Sequence, residues 1–324
     1  MSRSIVITAA AAAAALALTG CGTTEQAVDG PAKDTKGITL TDASGAKVTL
    51  DGPAKKVVGT EWNVVESLVT LGVDPVGVAD VKGYGTWDTA VPLRNRPKDI
   101  GTRGEPSMDT VASLSPDLIV ATTDLPEAAV KQLRKIAPVL EVRSADAADP
   151  VGQMKENLDL IAEATGTTAE ADEAKKAFDA KVAEGRKALA DAGLAGTRIA
   201  FADGYVASNQ VSIRPYTGGS LIGGVNTALG LQNAWKIEGD KDYGLAATDV
   251  EGLTGLGDAR FAYIGSDSEG SDVFADDLAK NSVWKSLSFV KKDEVHRLPD
   301  GIWMFGGPRS MESYVDAVVG ALTK

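Results

Sequence analysis

A single cysteine, Cys21, and a single histidine, His296, stand in 324 residues. That scarcity excludes a disulfide framework, a Cys/His zinc cluster and a multi-histidine metal cage, each of which needs several such ligands at one point. Basic residues are in deficit: 33 Lys and Arg face 45 Asp and Glu, for a formal charge of −12. With no basic stripe along which phosphates could lie, nucleic acid is set aside as a partner. Catalytic templates are missing too. There is no Gly-x-x-x-x-Gly-Lys phosphate loop and no Gly-x-Ser-x-Gly elbow, and His296 sits in a strand pattern between Val295 and Arg297 with no nucleophile paired to it. The glycine-rich run Thr217-Gly218-Gly219-Ser220-Leu221-Ile222-Gly223-Gly224 lacks a following lysine or magnesium ligand, so it reads as a helix start against a neighbouring strand rather than a phosphate cradle. What is present is a globular composition, 44% hydrophobic and 24% charged, with length enough for two lobes and two cores.

The chain opens with Arg3 and an alanine-rich apolar run over residues 5–18, too short for a permanent membrane span and suited to a removable export signal over 1–20. It ends in Leu18-Thr19-Gly20-Cys21, which resembles the bacterial lipoprotein signal. That resemblance implies lipidation of Cys21 and a protein tethered outside the cytoplasm, at a membrane face, by acyl chains. Residues 21–37 are polar and aperiodic, a flexible tether.

Beyond the tether, Ile38-Thr39-Leu40 and Lys47-Val48-Thr49-Leu50 flank a turn, predicting a small hairpin. Short apolar strands then alternate with helical patterns: Val57-Val58-Gly59, a helix over about 64–71, Val76-Gly77-Val78, a helix from Met108, Leu118-Ile119-Val120, a helix over about 126–136 and Val139-Leu140-Glu141-Val142. From 150 to 193 strands cease and Ala, Glu, Lys and Leu dominate, with one long helix expected over about 169–192. Alternation resumes with strands at Arg198-Ile199-Ala200-Phe201, Gln210-Val211-Ser212-Ile213, Phe261-Ala262-Tyr263-Ile264 and Val295-His296-Arg297-Leu298, and a last helix over about 311–322. The expected fold is α/β: two Rossmann-like lobes, 38–149 and 194–324, joined by a single long helix within the segment 150–193. An internal echo supports duplication, since Met108-Asp109-Thr110-Val111-Ala112-Ser113-Leu114 and Val250-Glu251-Gly252-Leu253-Thr254-Gly255-Leu256 each precede a strand. Two such lobes bind small molecules where their strand-end loops converge.

Aromatic residues make up only 5% of the chain, and several fall in glycine-flanked, loop-like segments: Tyr84 and Trp87, Tyr216 after Arg214-Pro215, Tyr243, and Trp303 with Phe305. Rings so placed offer apolar area at low entropic cost. Arg103, beside Gly104 and just before a helix, can donate several hydrogen bonds to anionic oxygens, or pair with a neighbouring acid such as Glu105.

The strings Val57-Val58-Gly59-Thr60-Glu61-Trp62, Leu71-Gly72-Val73-Asp74-Pro75-Val76-Gly77-Val78-Ala79-Asp80, Ile100-Gly101-Thr102-Arg103-Gly104-Glu105-Pro106-Ser107-Met108-Asp109 and Leu114-Ser115-Pro116-Asp117-Leu118-Ile119-Val120 together resemble the iron-siderophore substrate-binding lipoproteins of ABC importers, most of all their ferric-hydroxamate branch. The resemblance runs from about residue 38 to the end. It implies a non-enzymatic receptor, a monomer without cofactor, that captures an Fe(III)-hydroxamate chelate of ferrioxamine or ferrichrome type between the lobes and delivers it to an ABC permease and its ATPase. The chelator fills the iron sphere, so no protein metal ligand is implied. Arg103 matches the arginine that contacts hydroxamate oxygens; Trp87, Tyr243, Trp303 and Phe305 match aromatic positions. Arg214, Tyr216, Tyr84 and Arg309 are added on chemical grounds. The tyrosine usual after the Pro-Asp strand is absent, Ala121-Thr122-Thr123-Asp124 standing there. Asp109 and Glu251 match the acids, one per lobe, that dock on the permease, although acids at helix starts also suit the helix dipole. Two alternatives stay open: the same fold carrying a catecholate siderophore, haem or a cobalamin, and an exported lipoprotein hydrolase.

Overall fold

The protein is described by a computed structural model over residues 37–208 and 210–324. Cys21, the leader and nearly all of the tether lie outside the described residues. An antiparallel pair, β1 (Ile38–Thr41) and β2 (Lys47–Leu50), precedes the first lobe. There follow β3 (Val57–Gly59), α1 (Trp62–Thr70), β4 (Gly77–Val78), α2 (Val81–Trp87), β5 (Lys98–Asp99), α3 (Met108–Leu114), β6 (Leu118–Thr122), α4 (Glu127–Leu133) and β7 (Val139–Val142). Their strands form a parallel sheet in the order β5-β4-β3-β6-β7. Successive strand residues serve opposite faces. Val57, Leu118 and Val120 pack with Leu68, Leu158 and Ile161, while Val58, Ile119 and Ala121 pack with Val111, Val130 and Leu133. Both faces are covered, as a parallel sheet requires.

Two helices then cross over, α5 (Pro150–Thr165) and α6 (Thr168–Asp191). Ala171 and Ala174, early in α6, belong to the first lobe's core; Phe178 and Leu189, further on, belong to the second's. At about 1.5 Å per residue, α6 with its 24 residues is a strut of roughly 36 Å with its two ends set in different cores.

The second lobe comprises β8 (Arg198–Ala207), β9 (Gln210–Tyr216), α7 (Leu221–Ala228), β10 (Gln232–Asn233), a 3-10 turn at Glu251–Leu256, β11 (Arg260–Ile264), a π turn at Val273–Asp277, α8 (Ser282–Ser286), α9 (Ser288–Lys291), β12 (Val295–Leu298) and α10 (Pro308–Leu322). The parallel order is β10-β8-β11-β12, with β9 antiparallel on β8. The strand at 210–216 is therefore the return arm of a hairpin rather than the next unit of an alternating series. The echo around Glu251 also departs from expectation, being a six-residue 3-10 turn where the first lobe has an α-helix. In both sheets the chain starts at a central strand, builds to one side, then restarts on the other. The switch points lie between β3 and β6 and between β8 and β11, where strand ends leave a crevice for ligands.

Candidate functional site

Chain leaving β3 reaches Glu61, whose Oε1 caps α1 by accepting from Trp62 N at 2.9 Å. The same oxygen accepts from Arg103 Nη1 at 2.8 Å. Arg103 lies on a loop pinched by a bridge between Gly101 and Pro106 and ended by the Ser107 cap of α3. Its guanidinium carbon is 3.9 Å from the centre of the Trp62 ring and 5.4 Å from that of Trp303, and the two indoles meet edge to face at 4.8 Å. A cation over such faces is held by the ring quadrupole as well as by its ion pair.

The second lobe presents a counterpart. Arg214 stands opposite Asp203 in the β8–β9 hairpin register, donating Nε to Oδ1 at 2.9 Å and Nη2 to Oδ2. Beneath them Tyr216 is fully buried, its hydroxyl donating to Asp203 Oδ2 at 3.1 Å. Burial, then the Asp203 charge, pushes its phenol well above the usual range.

Arg103 and Arg214 share a cleft of about 400 Å3 with Glu61, Asn63, Tyr243, Leu245, Trp303 and Phe305. Arg214 also lines an adjoining space of about 550 Å3, with Trp87, Met304, Tyr205, Val206 and the acids Asp203, Asp267, Asp272 and Asp276 among its walls. Arg297 is the other cation there, tied to Asp267, Asp272 and Asp300. Tyr243 spans the lobes, its hydroxyl donating to Asp124 beyond β6 and its ring standing edge-on to Phe305 at 5.5 Å. Burial first, then the Asp124 contact, raises its phenol pKa.

Several expected site residues stand elsewhere. Tyr84 is core: it is 1% exposed, donates to Val91 O at 2.6 Å and packs with Trp62, Val65 and Val78. Its segment is the helix α2 rather than a loop, started by Asp80 accepting from Gly83 N. Tyr216 forms the floor under Arg214 and presents no surface to a ligand. Arg309 is on α10, paired with Glu312 at 2.9 Å, and lines neither space. His296 contacts Glu294 at 3.2 Å and lines neither space. The glycine run at 217–224 is a tight start to α7, capped by Ser220. Asp109 and Glu251 are both exposed at the starts of their turns. Glu61, Trp62, Asn63, Asp124 and Asp203 join the site without belonging to the set that the sequence marks. A usable signal existed for the first three, which directly follow the central strand β3.

The profile of a family described as periplasmic binding protein matches residues 57–301. The iron(3+)-hydroxamate-binding protein FhuD of Bacillus subtilis is 29% identical over 317 residues, 95% of this chain and 94% of its own. The Fe(3+)-citrate-binding protein YfmC of the same bacterium is 27% identical over 310 residues, 93% and 91% of the two chains. Among solved structures, the Fe3+-Desferal-bound siderophore-binding protein FhuD of Vibrio cholerae superposes with a TM-score of 0.74 at 24% identity, covering 83% of this chain and 98% of that one. That is a likeness of fold.

Proposed function

The chain belongs to the periplasmic binding protein family, and from that premise we propose that it is the receptor of an ABC iron importer, binding a ferric siderophore of hydroxamate type in the cleft between its lobes. An extracytoplasmic location agrees with the names of its relatives, and lipidated Cys21 would hold it at the membrane as a single copy. Binding makes and breaks no covalent bond, and iron stays with its chelator.

The observation that carries the hydroxamate reading is charge balance. Arg103 is neutralised by Glu61 and Arg214 by Asp203, so the cleft offers guanidinium donors without net positive charge. The adjoining space is acidic. A guanidinium has five N–H donors; Arg103 commits one to Glu61 and Arg214 two to Asp203. The remaining donors suit oxygens that carry partial charge on a complex neutral overall, as in a ferric tris-hydroxamate. A ferric citrate or tris-catecholate, strongly anionic, would meet acids with no surplus cation to offset them. Trp303, Phe305, Tyr243 and Trp87 would pack on the organic shell. Asp109 and Glu251, one exposed acid on each lobe, would meet basic permease residues, a contact that weakens with salt.

Equilibrium titration followed by tryptophan fluorescence decides the matter. Ferrioxamine-type or ferrichrome-type chelates are expected to bind at submicromolar levels, and ferric citrate and a ferric catecholate at least about a hundredfold more weakly. The similarity to an Fe(3+)-citrate-binding relative favours a second reading, in which the cargo is ferric citrate. Tight citrate binding with no response to either hydroxamate establishes it and ends the first.

A further inference from the structure

Behind the aromatic wall lies a pair of acids that the cleft itself does not use. Glu66 on α1 and Asp88 just past α2 belong to the first lobe and are fully buried. Glu66 nonetheless serves the second lobe, for Oε2 accepts from Gly307 N at 2.6 Å and Oε1 from Ser310 N at 2.9 Å. These are first-turn N–H groups of α10, which has no side-chain cap of its own. A Cβ on Gly306 would come 2.3 Å from Glu66 Oε2, so glycine there is a condition of the contact. Ser310 Oγ donates to Asp88 Oδ1 at 3.3 Å, while Asp88 Oδ2, beside Glu66, is buried without a hydrogen-bond partner. At the loop's other end Gly301 O accepts from Thr89 N at 2.9 Å and Thr89 Oγ1 at 3.2 Å. The 301–307 loop, which carries Trp303 and Phe305, is thus tied at both ends to the lobe across the cleft.

We propose that Glu66 and Asp88 are positioning residues for the ligand cleft, seating the Trp303–Phe305 loop from behind so that chelate affinity follows the state of this buried pair. The inference rests on the cleft being the ligand site proposed above. Two carboxylates in contact away from water do not both ionise. Burial raises both acids; Glu66 is held down by two backbone N–H groups, whereas Asp88 has its rise reinforced by the Glu66 charge. Asp88 is therefore the acid of the pair that holds a proton, with its otherwise unpartnered Oδ2 free to turn it toward Glu66. The other groups facing the pair are Ser310 from α10 and Tyr84 from α2, its phenol also pushed up by burial and the two acids. Among the described residues no Lys, Arg or His forms an ion pair with either acid. The sign follows. Asp88 has a folded pKa above its unfolded one, so stability is full below the ordinary carboxylate range and falls as pH rises toward the folded value, with the seat failing as that value is passed.

The test uses the full chain with Asp88→Asn, Glu66→Ala and Glu66→Gln, a ferrioxamine-type chelate as probe, and acrylamide quenching of tryptophan without chelate. Asp88→Asn keeps the shape and donor of the protonated acid. It is expected to bind within about twofold of the parent at the acidic end of the titration, where Asp88 is protonated, and to hold its affinity as pH rises while the parent weakens. Folded Glu66→Ala is expected to show more accessible tryptophan and at least about tenfold weaker binding, with Glu66→Gln, which keeps one acceptor, between. Parent-like quenching and affinity in Glu66→Ala overturn the proposal; so does an Asp88→Asn variant that weakens as much as Glu66→Ala or keeps the parent's pH profile. Should Glu66→Ala not fold, Glu66→Gln is judged by the same criteria. If no chelate binds the parent, the functional reading falls, and quenching alone decides whether the acids seat the loop.

Discussion

The two walls of the cleft hold a guanidinium by different means. On the second lobe, Asp203 and Arg214 are cross-strand neighbours in one hairpin, joined by two hydrogen bonds and underpinned by a buried tyrosine. On the first, Glu61 and Arg103 are 42 residues apart on separate loops, joined by one hydrogen bond, and Arg103 is steadied by lying on Trp62. Paired strands fix the geometry of the former before any ligand arrives. The latter can slide over an indole face at little cost, because stacking is less directional than a two-point ion pair. One wall is a fixed reference and the other an adjustable contact.

That contrast can be broken most severely at Asp203. Asp203→Ala leaves Arg214 half-buried without its carboxylate and the Tyr216 hydroxyl with only the weak Met304 sulfur acceptor, and is expected to cost about 3 kcal/mol in a urea melt. Glu61→Ala, measured alongside, is expected to cost about 1 kcal/mol, since it removes a single ion-pair hydrogen bond and the cap of α1 but strands no buried hydroxyl. Equal costs would show that the walls do not differ in rigidity. Next in size, Arg103→Ala is expected to weaken hydroxamate binding by about 10-fold to 100-fold, the loss of charge-assisted hydrogen bonds, with the melt little changed. Glu61→Gln tests the charge argument: unmasking Arg103 is expected to improve ferric citrate binding by about threefold to tenfold while hydroxamate affinity changes less. The smallest effect belongs to the strap across the lobes. Tyr243→Phe is expected to change affinity by about threefold, and since the Tyr243 phenol is raised, its bond to Asp124 is fully present below about pH 10 and lost only as pH climbs through the folded value. A change with pH between 7 and 9 that disappears in Tyr243→Phe would contradict that assignment.

Much of this architecture is written in local patterns. Leu118-Ile119-Val120 reads as a doubly buried strand because both sheet faces are covered, and the Ala, Glu and Lys spacing before Gly193 reads as one helix. Arg103, Trp303, Phe305 and Tyr243, picked out in sequence, line one cleft in the structure. What escapes is pairing set by topology. Nothing local to Glu61 announces Arg103, and nothing around Asp88 announces Ser310. Tyr84 is misread for a physical reason: Gly83 and Gly85 on either side suggest a loop, yet burial of the ring outweighs the glycines' reluctance to enter a helix. The hairpin that presents Arg214 is hidden likewise, because a parallel and an antiparallel strand share the same alternation.

The strut joining the lobes has a consequence for traffic at the membrane. With its ends embedded in separate cores, α6 resists bending between the halves, and a receptor that stays rigid on loading would offer an importer nearly the same outline full or vacant. Vacant copies would then occupy docking places as readily as full ones. Uptake in such a system would be throttled by the fraction of receptors carrying cargo, and making more receptor than there is chelate to fill it would slow import instead of speeding it.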